Sequence, residues 1–188
     1  MKKAVFYVLA AFVLLAGIFI KFYTIGAGEI TKITPAEKGV WPSMTGISLM
    51  GKEFTLPKDF EKPLNLVVVG FKRRHQDNIN TWIEAFRQGD LGKLDIGFFE
   101  VPVIYEMEFT QRFFLNNAMK FGIQDEGQKQ RTITVFLDRS QFLKTMNMEE
   151  EHIYAVFMDQ NGNILWMRKG DYTKEFLEEL LSIIKSRS

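Results

Sequence analysis

The residues that could do chemistry lie together in one short stretch, GFKRRHQDNINTW, residues 70–82. An apolar run leads into three cations, Lys72, Arg73 and Arg74, followed by His75, and a helical pattern begins just after them. The first turn of a helix offers free backbone N–H groups and a partial positive charge. Cations beside it therefore predict a site for a carboxylate, a phosphate or an acidic partner loop. The alternative is that they are solvated charges on a surface turn.

Two further residues are weaker candidates. Arg131 opens a later predicted strand and could reach the turn as a fifth contact, although a surface salt bridge is the alternative. His75 could act as a general base with Asp77 to orient it. Two positions so close in one turn give poor geometry, and no Ser or Cys nucleophile adjoins them. We expect a surface histidine and no catalytic residue.

Metal binding has little support in the sequence. The two histidines, His75 and His152, lie far apart. The run MNMEEEH offers Met146, Met148 and His152 as ligands for copper. Methionine is also a common core residue, and an acidic run is usually solvated. We expect no metal ion and no other cofactor.

The chain contains no cysteine. Disulfides, thiolate catalysis and cysteine metal sites are therefore excluded by composition. We expect that packing alone stabilises the fold and that the protein is not an enzyme.

The first 28 residues are set apart by their hydropathy. Residues 4–20, AVFYVLAAFVLLAGIFI, carry no charge and as a helix would cover roughly 25 Å, near the short limit for crossing a bilayer. A cleaved signal peptide is the alternative, but its small-residue site, residues 26–28, lies well beyond the apolar run. We predict an uncleaved, single-pass membrane anchor over residues 1–28. Because Lys2 and Lys3 precede the run, the N-terminus is expected in the cytoplasm and the rest of the chain on the periplasmic side.

The remainder of the chain predicts a tether and one domain. Residues 29–45 mix Pro, Gly, Thr and charge without a period, which is typical of a tether. Residues 46–188 are enough for one domain with its own core. Without residues 1–28 the chain has 21 basic and 23 acidic side chains, a formal charge of −2. It lacks the basic excess of a nucleic-acid-binding surface.

Hydrophobic periodicity in residues 46–188 alternates between strands and helices. An α/β fold is expected, with a mixed sheet and helices on both of its faces. The predicted elements are a hairpin in residues 46–57, a central strand over 64–71, a helix capped by Asp77 or Asn78 and ending at Gly89, a strand in 94–105 interrupted by Pro102, a helix over 108–121 with Phe109, Phe113 and Phe114 inward, a loop over 124–130, a strand over 131–138, a short helix near 140–146, a hairpin turning at Asn161-Gly162, and a helix over 173–187.

Residues 46–186 resemble the thioredoxin-like superfamily. The lead-in GKEFTLPKDFEKPLNLVVVGF is similar to the entry of its peroxiredoxin-type branch. The segments RTITVFLDRSQFLKTMNM and IYAVFMDQNGNILWMRKGDYTKEFLEELL resemble the mitochondrial ATP synthase assembly factors that have a thioredoxin-like domain.

This chain departs from the redox members of the superfamily at two places. In those members the turn after the first central strand carries a reactive cysteine, where this chain has residues 72–77. A cis-proline before the C-terminal hairpin would fall at about Glu151-His152, where there is no proline. The resemblance therefore implies a redox-inactive domain that binds a protein at the membrane, as an assembly or stability factor. The alternative is a binder of, or an enzyme on, an anionic small molecule that uses the basic turn.

Overall fold

The computed structural model describes residues 26–33 and 38–187. The apolar segment predicted as a membrane anchor, residues 4–20, lies outside the described residues. Among the helices described, none is both long and apolar enough to cross a membrane.

The described residues form a seven-stranded sheet with α-helices packed against it. The strands are β1 (Met44–Ser48), β2 (Glu53–Leu56), β3 (Leu64–Gly70), β4 (Gly97–Tyr105), β5 (Ile133–Leu137), β6 (Tyr154–Asp159) and β7 (Ile164–Lys169). The helices are α1 (Gln76–Gln88), α2 (Phe109–Gly122), α3 (Glu126–Arg131), α4 (Arg139–Met146) and α5 (Lys174–Lys185).

The sheet is mixed, with strand order β2-β1-β5-β4-β3-β6-β7. Strands β3, β4 and β5 are parallel to one another. Strands β6 and β1 join this centre antiparallel, to β3 and β5 respectively, and β7 and β2 close the two edges. The predicted α/β class with a mixed sheet is confirmed.

Strand β3 contributes to a core on each face of the sheet. Val67 and Val69 pack on the face that α4 covers, and Leu66 and Val68 pack on the face that α1 and α5 cover. Successive side chains of a strand point to opposite faces. A continuous apolar run is therefore required of a strand that is covered on both sides.

Strand β4 continues through Pro102, contrary to the predicted interruption. Pro102 is the last residue that pairs with β3, opposite Gly70, and the ladder to β5 runs from Val103 to Tyr105. Proline removes one donor from a ladder. It is tolerated here because the ladder to β3 ends at this residue.

Helix α2 presents a different face to the domain than predicted. Phe109 and Phe113 are half-buried, Asn116 is fully buried, and Phe114 is 65% exposed. Neighbouring positions on an α-helix are about 100° apart, so Phe113 and Phe114 cannot both point at the sheet. The prediction was wrong for Phe114.

Much of the segment predicted as a tether, residues 29–45, lies against the domain. The backbone N–H of Thr31 donates to Phe136 O at 2.8 Å, and that of Trp41 donates to Gly162 O at 2.8 Å. The Trp41 side chain is buried. Burial of this indole stabilises the packing of the segment against the domain. The Pro, Gly and Thr content of the segment does not predict that packing.

Two smaller differences concern helix starts. Helix α1 begins at Gln76 without a side-chain cap, and Asp77 lies inside its first turn. The predicted loop over residues 124–130 contains α3, whose first turn is capped by the Asp125 carboxylate. A helix of six residues is too short to show a periodic apolar pattern.

Candidate functional site

The basic turn, residues 72–75, follows β3, the strand of the parallel group that also pairs with antiparallel β6. Strand β3 lies between β4 and β6 and ends at Gly70. A 3-10 turn, Arg73–His75, leads directly into α1. The turn therefore lies at the carboxyl end of β3, at the start of a helix, as the sequence predicts.

The protein's own carboxylates partly neutralise this turn. The Lys72 ammonium lies 3.7 Å from Glu150 and also pairs with Glu151. The Arg74 guanidinium pairs with Glu151 as well. Arg73 is exposed, and no ion pair is recorded for it among the described residues. Of the three predicted cations, Arg73 is the one left available to a ligand.

His75 is a buried residue, contrary to the expectation of a surface histidine. Its side chain is 2% exposed, and its Nδ1 accepts from the backbone N–H of Phe71 at 3.3 Å. Burial, followed by the charges of Arg74 and Lys72, lowers the pKa of His75. A neutral ring with Nδ1 as acceptor carries its proton on Nε2, which finds no partner among the described residues. Asp77 is exposed and does not orient it.

Arg139 is a buried charge at this site that the sequence did not identify. Its Nη1 donates to Phe71 O at 2.5 Å, and its Nη2 pairs with Glu150. Its guanidinium carbon lies 3.3 Å from the centroid of the Tyr105 ring. Arg139 thus fastens the end of β3 to the loop before β6. The available signal was its position directly after Asp138, at the carboxyl end of β5.

Arg131 is not part of the turn. It ends α3, and its guanidinium carbon lies 5.5 Å from the centroid of the Phe86 ring. The structure records no contact between Arg131 and residues 72–75 within the ranges it describes. The candidate fifth contact thus stacks on an aromatic ring of α1.

A cleft of about 910 Å³ opens beside the basic turn. Its lining comes from the turn, α1, β4 and α2, together with the chain that leads into α3. The lining includes Lys72, Arg73, Gln76, Arg87, Glu100, Pro102, Ile104, Leu115, Ala118, Met119, Ile123, Asp125 and Gln128.

Glu100 is a buried carboxyl group in the lining of this cleft. It is 2% exposed and accepts a hydrogen bond from Thr132 Oγ1 at 3.1 Å. Burial raises the pKa of Glu100, while hydrogen bonds from Thr132, Gln128 and Gln76 act in the opposite direction. Glu100 is the one charged residue within the β4 stretch GFFEVPVIY. An isolated charge in an apolar strand is the sequence signal that could have identified it as a candidate site residue.

Replacing Glu100 with glutamine should remove a pH dependence from the folding equilibrium. Because the pKa is raised in the folded protein, the wild type has its full stability below the ordinary value of 4.5. It loses stability as the pH rises from there through the folded pKa. We expect Glu100→Gln to be more stable than the wild type near neutral pH, with the difference shrinking towards pH 4.5.

Urea unfolding of both proteins at several pH values measures this difference. Glu53→Gln, at an exposed position, is the control and should parallel the wild type at every pH. A stability difference for Glu100→Gln that does not change with pH would contradict the assignment.

The residues considered for copper are not brought together as a ligand set. Met146 and Met148 are buried in the core on the α4 side. His152 Nε2 lies 3.2 Å from the Glu149 carboxylate, within one turn of the chain. Within residues 26–33 and 38–187, no group of His, Cys, Asp and Glu is arranged to hold a metal ion.

The comparison with known proteins gives a likeness in structure. No family model matches the chain, and no curated protein matches it in sequence. Yeast Sco1 superposes with a TM-score of 0.51 at 12% identity, over 80% of this chain and 97% of that one. The exposed lipoprotein thioredoxin Etrx1 of Streptococcus pneumoniae strain TIGR4 gives 0.49 at 15% identity, over 74% and 98%.

Identities this low establish a shared fold and nothing more. The likeness agrees with the strand order, with the parallel β3-β4-β5 centre and with the turn at the carboxyl end of β3. The chain has a thioredoxin-like fold, with cations and no cysteine in the turn that follows β3.

Proposed function

We propose that this protein is a membrane-tethered binding domain without thiol redox chemistry. It holds a protein partner in or at the membrane, as an assembly or stability factor for a membrane complex. The observation that carries the proposal is the turn after β3, where Lys72 and Arg74 pair with carboxylates of the same chain and the sequence supplies no cysteine. A thiolate reaction cannot occur there, and this supports binding as the role of the turn.

The start of the described chain lies against α2. The Asn116 side chain donates from Nδ2 to Gly26 O at 2.8 Å, and Arg112 donates from Nε to Gly28 O at 3.2 Å. If residues 4–20 form an anchor, the described chain that follows it begins next to α2. This placement supports α2 as the element nearest the bilayer.

Helix α2 also exposes apolar surface. Phe114 is 65% exposed and Phe121 is 79% exposed. They are seven residues apart, about two turns, so they lie on one side of the helix, which we call the outer face of α2. Exposed aromatic side chains next to a membrane entry point support contact with a partner of the same membrane.

A double variant, Phe114→Ser with Phe121→Ser, should separate folding from partner binding. Because both rings are largely exposed, each change should alter the free energy of unfolding by less than about 0.5 kcal/mol. Recovery of crosslinked partners from membranes should nevertheless fall several-fold. Met50→Ser, at an exposed residue after β1, is the control and should leave both measurements unchanged. Normal partner recovery by the double variant would exclude the outer face of α2 as the contact.

The general proposal is tested by crosslinking in native membranes followed by mass spectrometry. The wild type should yield specific membrane-protein partners. Changing Lys72, Arg73 and Arg74 together to alanine asks whether the basic turn contributes to them. Because two of the three cations have internal partners, we expect the single change Arg73→Ala to reproduce most of any loss. If the folded wild type recovers no partner from its membrane, the proposed protein-binding function is wrong.

A second candidate function is the binding of an anionic small molecule. The cleft favours it, because Lys72 and Arg73 of the basic turn belong to its lining. Three residues named with them in the sequence hypothesis do not join this lining. Arg74 pairs with Glu151, His75 is buried and Arg131 stacks on Phe86. The candidate therefore depends on the cleft beside the turn.

A further inference from the structure

The cleft has the dimensions of a small-molecule site. Its volume of about 910 Å³ lies within the range of roughly 300–1,000 Å³ that is common for such sites. Its walls come from the basic turn, α1, α2 and β4. The cleft is therefore a gap between packed elements and is not formed by a single loop. A ligand in it would contact all of these elements at once.

One side of the cleft is apolar. Pro102 and Ile104 contribute from β4, and Leu115, Met119 and Ile123 contribute from α2 and the residue after it. On β4 these two residues alternate with Val101 and Val103, which point into the core on the opposite face. An apolar ligand body packed along this side would remove hydrocarbon surface of both partners from water.

The charged groups of the lining favour an anion. Lys72, Arg73 and Arg87 are cations, and Arg87 lies 3.4 Å from Asp125. The remaining acid, Glu100, is buried deep in the cleft, where loss of water favours its uncharged form. With Lys72 also paired, Arg73 is the exposed lining cation for which no ion pair is recorded among the described residues.

We infer that the cleft binds an amphiphilic carboxylic acid, with its apolar body along the side formed by β4 and α2 and its carboxylate on Arg73. A guanidinium can donate two parallel hydrogen bonds to a carboxylate, so a single unpaired arginine suits a monoanion. The inference rests on the second candidate function, small-anion binding, and is independent of the protein partner.

Photolabelling of the full-length protein in phosphatidylcholine nanodiscs tests the inference. The probe is a decanoic acid that carries a diazirine in its chain, and peptide mass spectrometry locates the labelled residues. We expect labels on the peptides that contain Ile104, Leu115 and Met119. An excess of plain decanoate should compete with these labels, and the methyl ester of the probe should label them several-fold less.

Two variants alter the cleft in different ways. Ala118→Trp places a large side chain at its rim on an exposed helix position, which should fold normally and abolish labelling of the cleft. Thr145→Trp is the matched control, because it introduces the same residue at an exposed position of α4, outside the lining and away from α2. Arg73→Glu should lower the apparent affinity about five- to tenfold, whereas Arg168→Glu, at an exposed position outside the lining, should not.

Three results would overturn the inference. They are no label on the cleft peptides, equal labelling of Ala118→Trp and the wild type, and equal labelling by the acid and its ester. Partner crosslinking of the wild type separates the two functions. A wild type that recovers its partners but shows no label in the cleft refutes the ligand alone, and a wild type that is labelled in the cleft but recovers no partner refutes the protein-binding proposal alone.

Discussion

Replacing Trp82 with alanine should lower the free energy of unfolding by about 3–5 kcal/mol. Trp82 is fully buried in the core that joins α1 to the sheet and to α5. Its ring centroid lies 6.0 Å from that of Phe176 and 5.4 Å from that of Tyr172, and its Nε1 donates to Gly170 O at 3.0 Å. Alanine would leave a large cavity and an unpaired carbonyl, because surrounding aromatic rings relax only in part.

Urea unfolding followed by circular dichroism measures the loss for Trp82→Ala. Trp82→Phe should lower the free energy of unfolding by less than half as much as Trp82→Ala does. It keeps an aromatic ring and loses mainly the indole N–H. Phe121→Ala is a control for loss of aromatic surface where the ring is 79% exposed, and it should cost less than about 0.5 kcal/mol. A cost below about 1 kcal/mol for Trp82→Ala would contradict its role in the core.

The second large effect is expected at Arg139. Its side chain is 6% exposed, and it binds Phe71 O, Glu150 and the face of the Tyr105 ring. Arg139→Ala removes one partner of a largely buried ion pair and leaves a carbonyl without its donor. Such changes cost about 3–5 kcal/mol. We expect the lower part of that range, because Glu150 is 30% exposed and keeps Lys72 nearby.

Two comparisons make the Arg139 prediction specific. Arg74→Ala removes an ion pair whose side chains are 63% and 59% exposed, so it should cost less than about 1 kcal/mol. The double variant Arg139→Met with Glu150→Gln should recover part of the stability that Arg139→Met loses, since it removes both charges together. A double variant less stable than Arg139→Met would contradict the pairing.

The order and type of most elements followed from local patterns in the sequence. The β-branched run of residues 64–71 has to be covered on both faces, and β3 is covered on both. The Asn161-Gly162 pair needs a backbone that glycine tolerates, and Gly162 has φ of +86° in the turn between β6 and β7. In each case the information lies within a few neighbouring residues.

The errors concern facts that depend on distant residues. Pro102 is acceptable because the ladder between β4 and β3 ends at that point, which no local pattern encodes. The two adjacent rings of α2 gave no basis for choosing which one faces the sheet. The segment around Trp41 has a tether's composition, yet it packs on the hairpin of β6 and β7 through Gly162.

The candidate site was only partly predictable for the same reason. Its location after β3 followed from the strand and helix order. The pairing of Lys72 and Arg74 with Glu151 depends on the loop before β6, almost eighty residues further along the chain. The cleft depends on how far α2 stands from β4, and its depth around Glu100 was not visible in any motif.

If residues 4–20 span a bilayer as proposed, the attachment of Gly26 to α2 limits how far the α2 side of the domain can move from the membrane. Between Ile20 and Gly26 there are six Cα steps, which extend to roughly 20 Å at most. The α2 side would then stay in a layer of about this depth above the lipid headgroups. A partner that binds through α2 must have its own binding surface within that layer, and a longer linker inserted after residue 21 would extend the accessible depth without altering the domain.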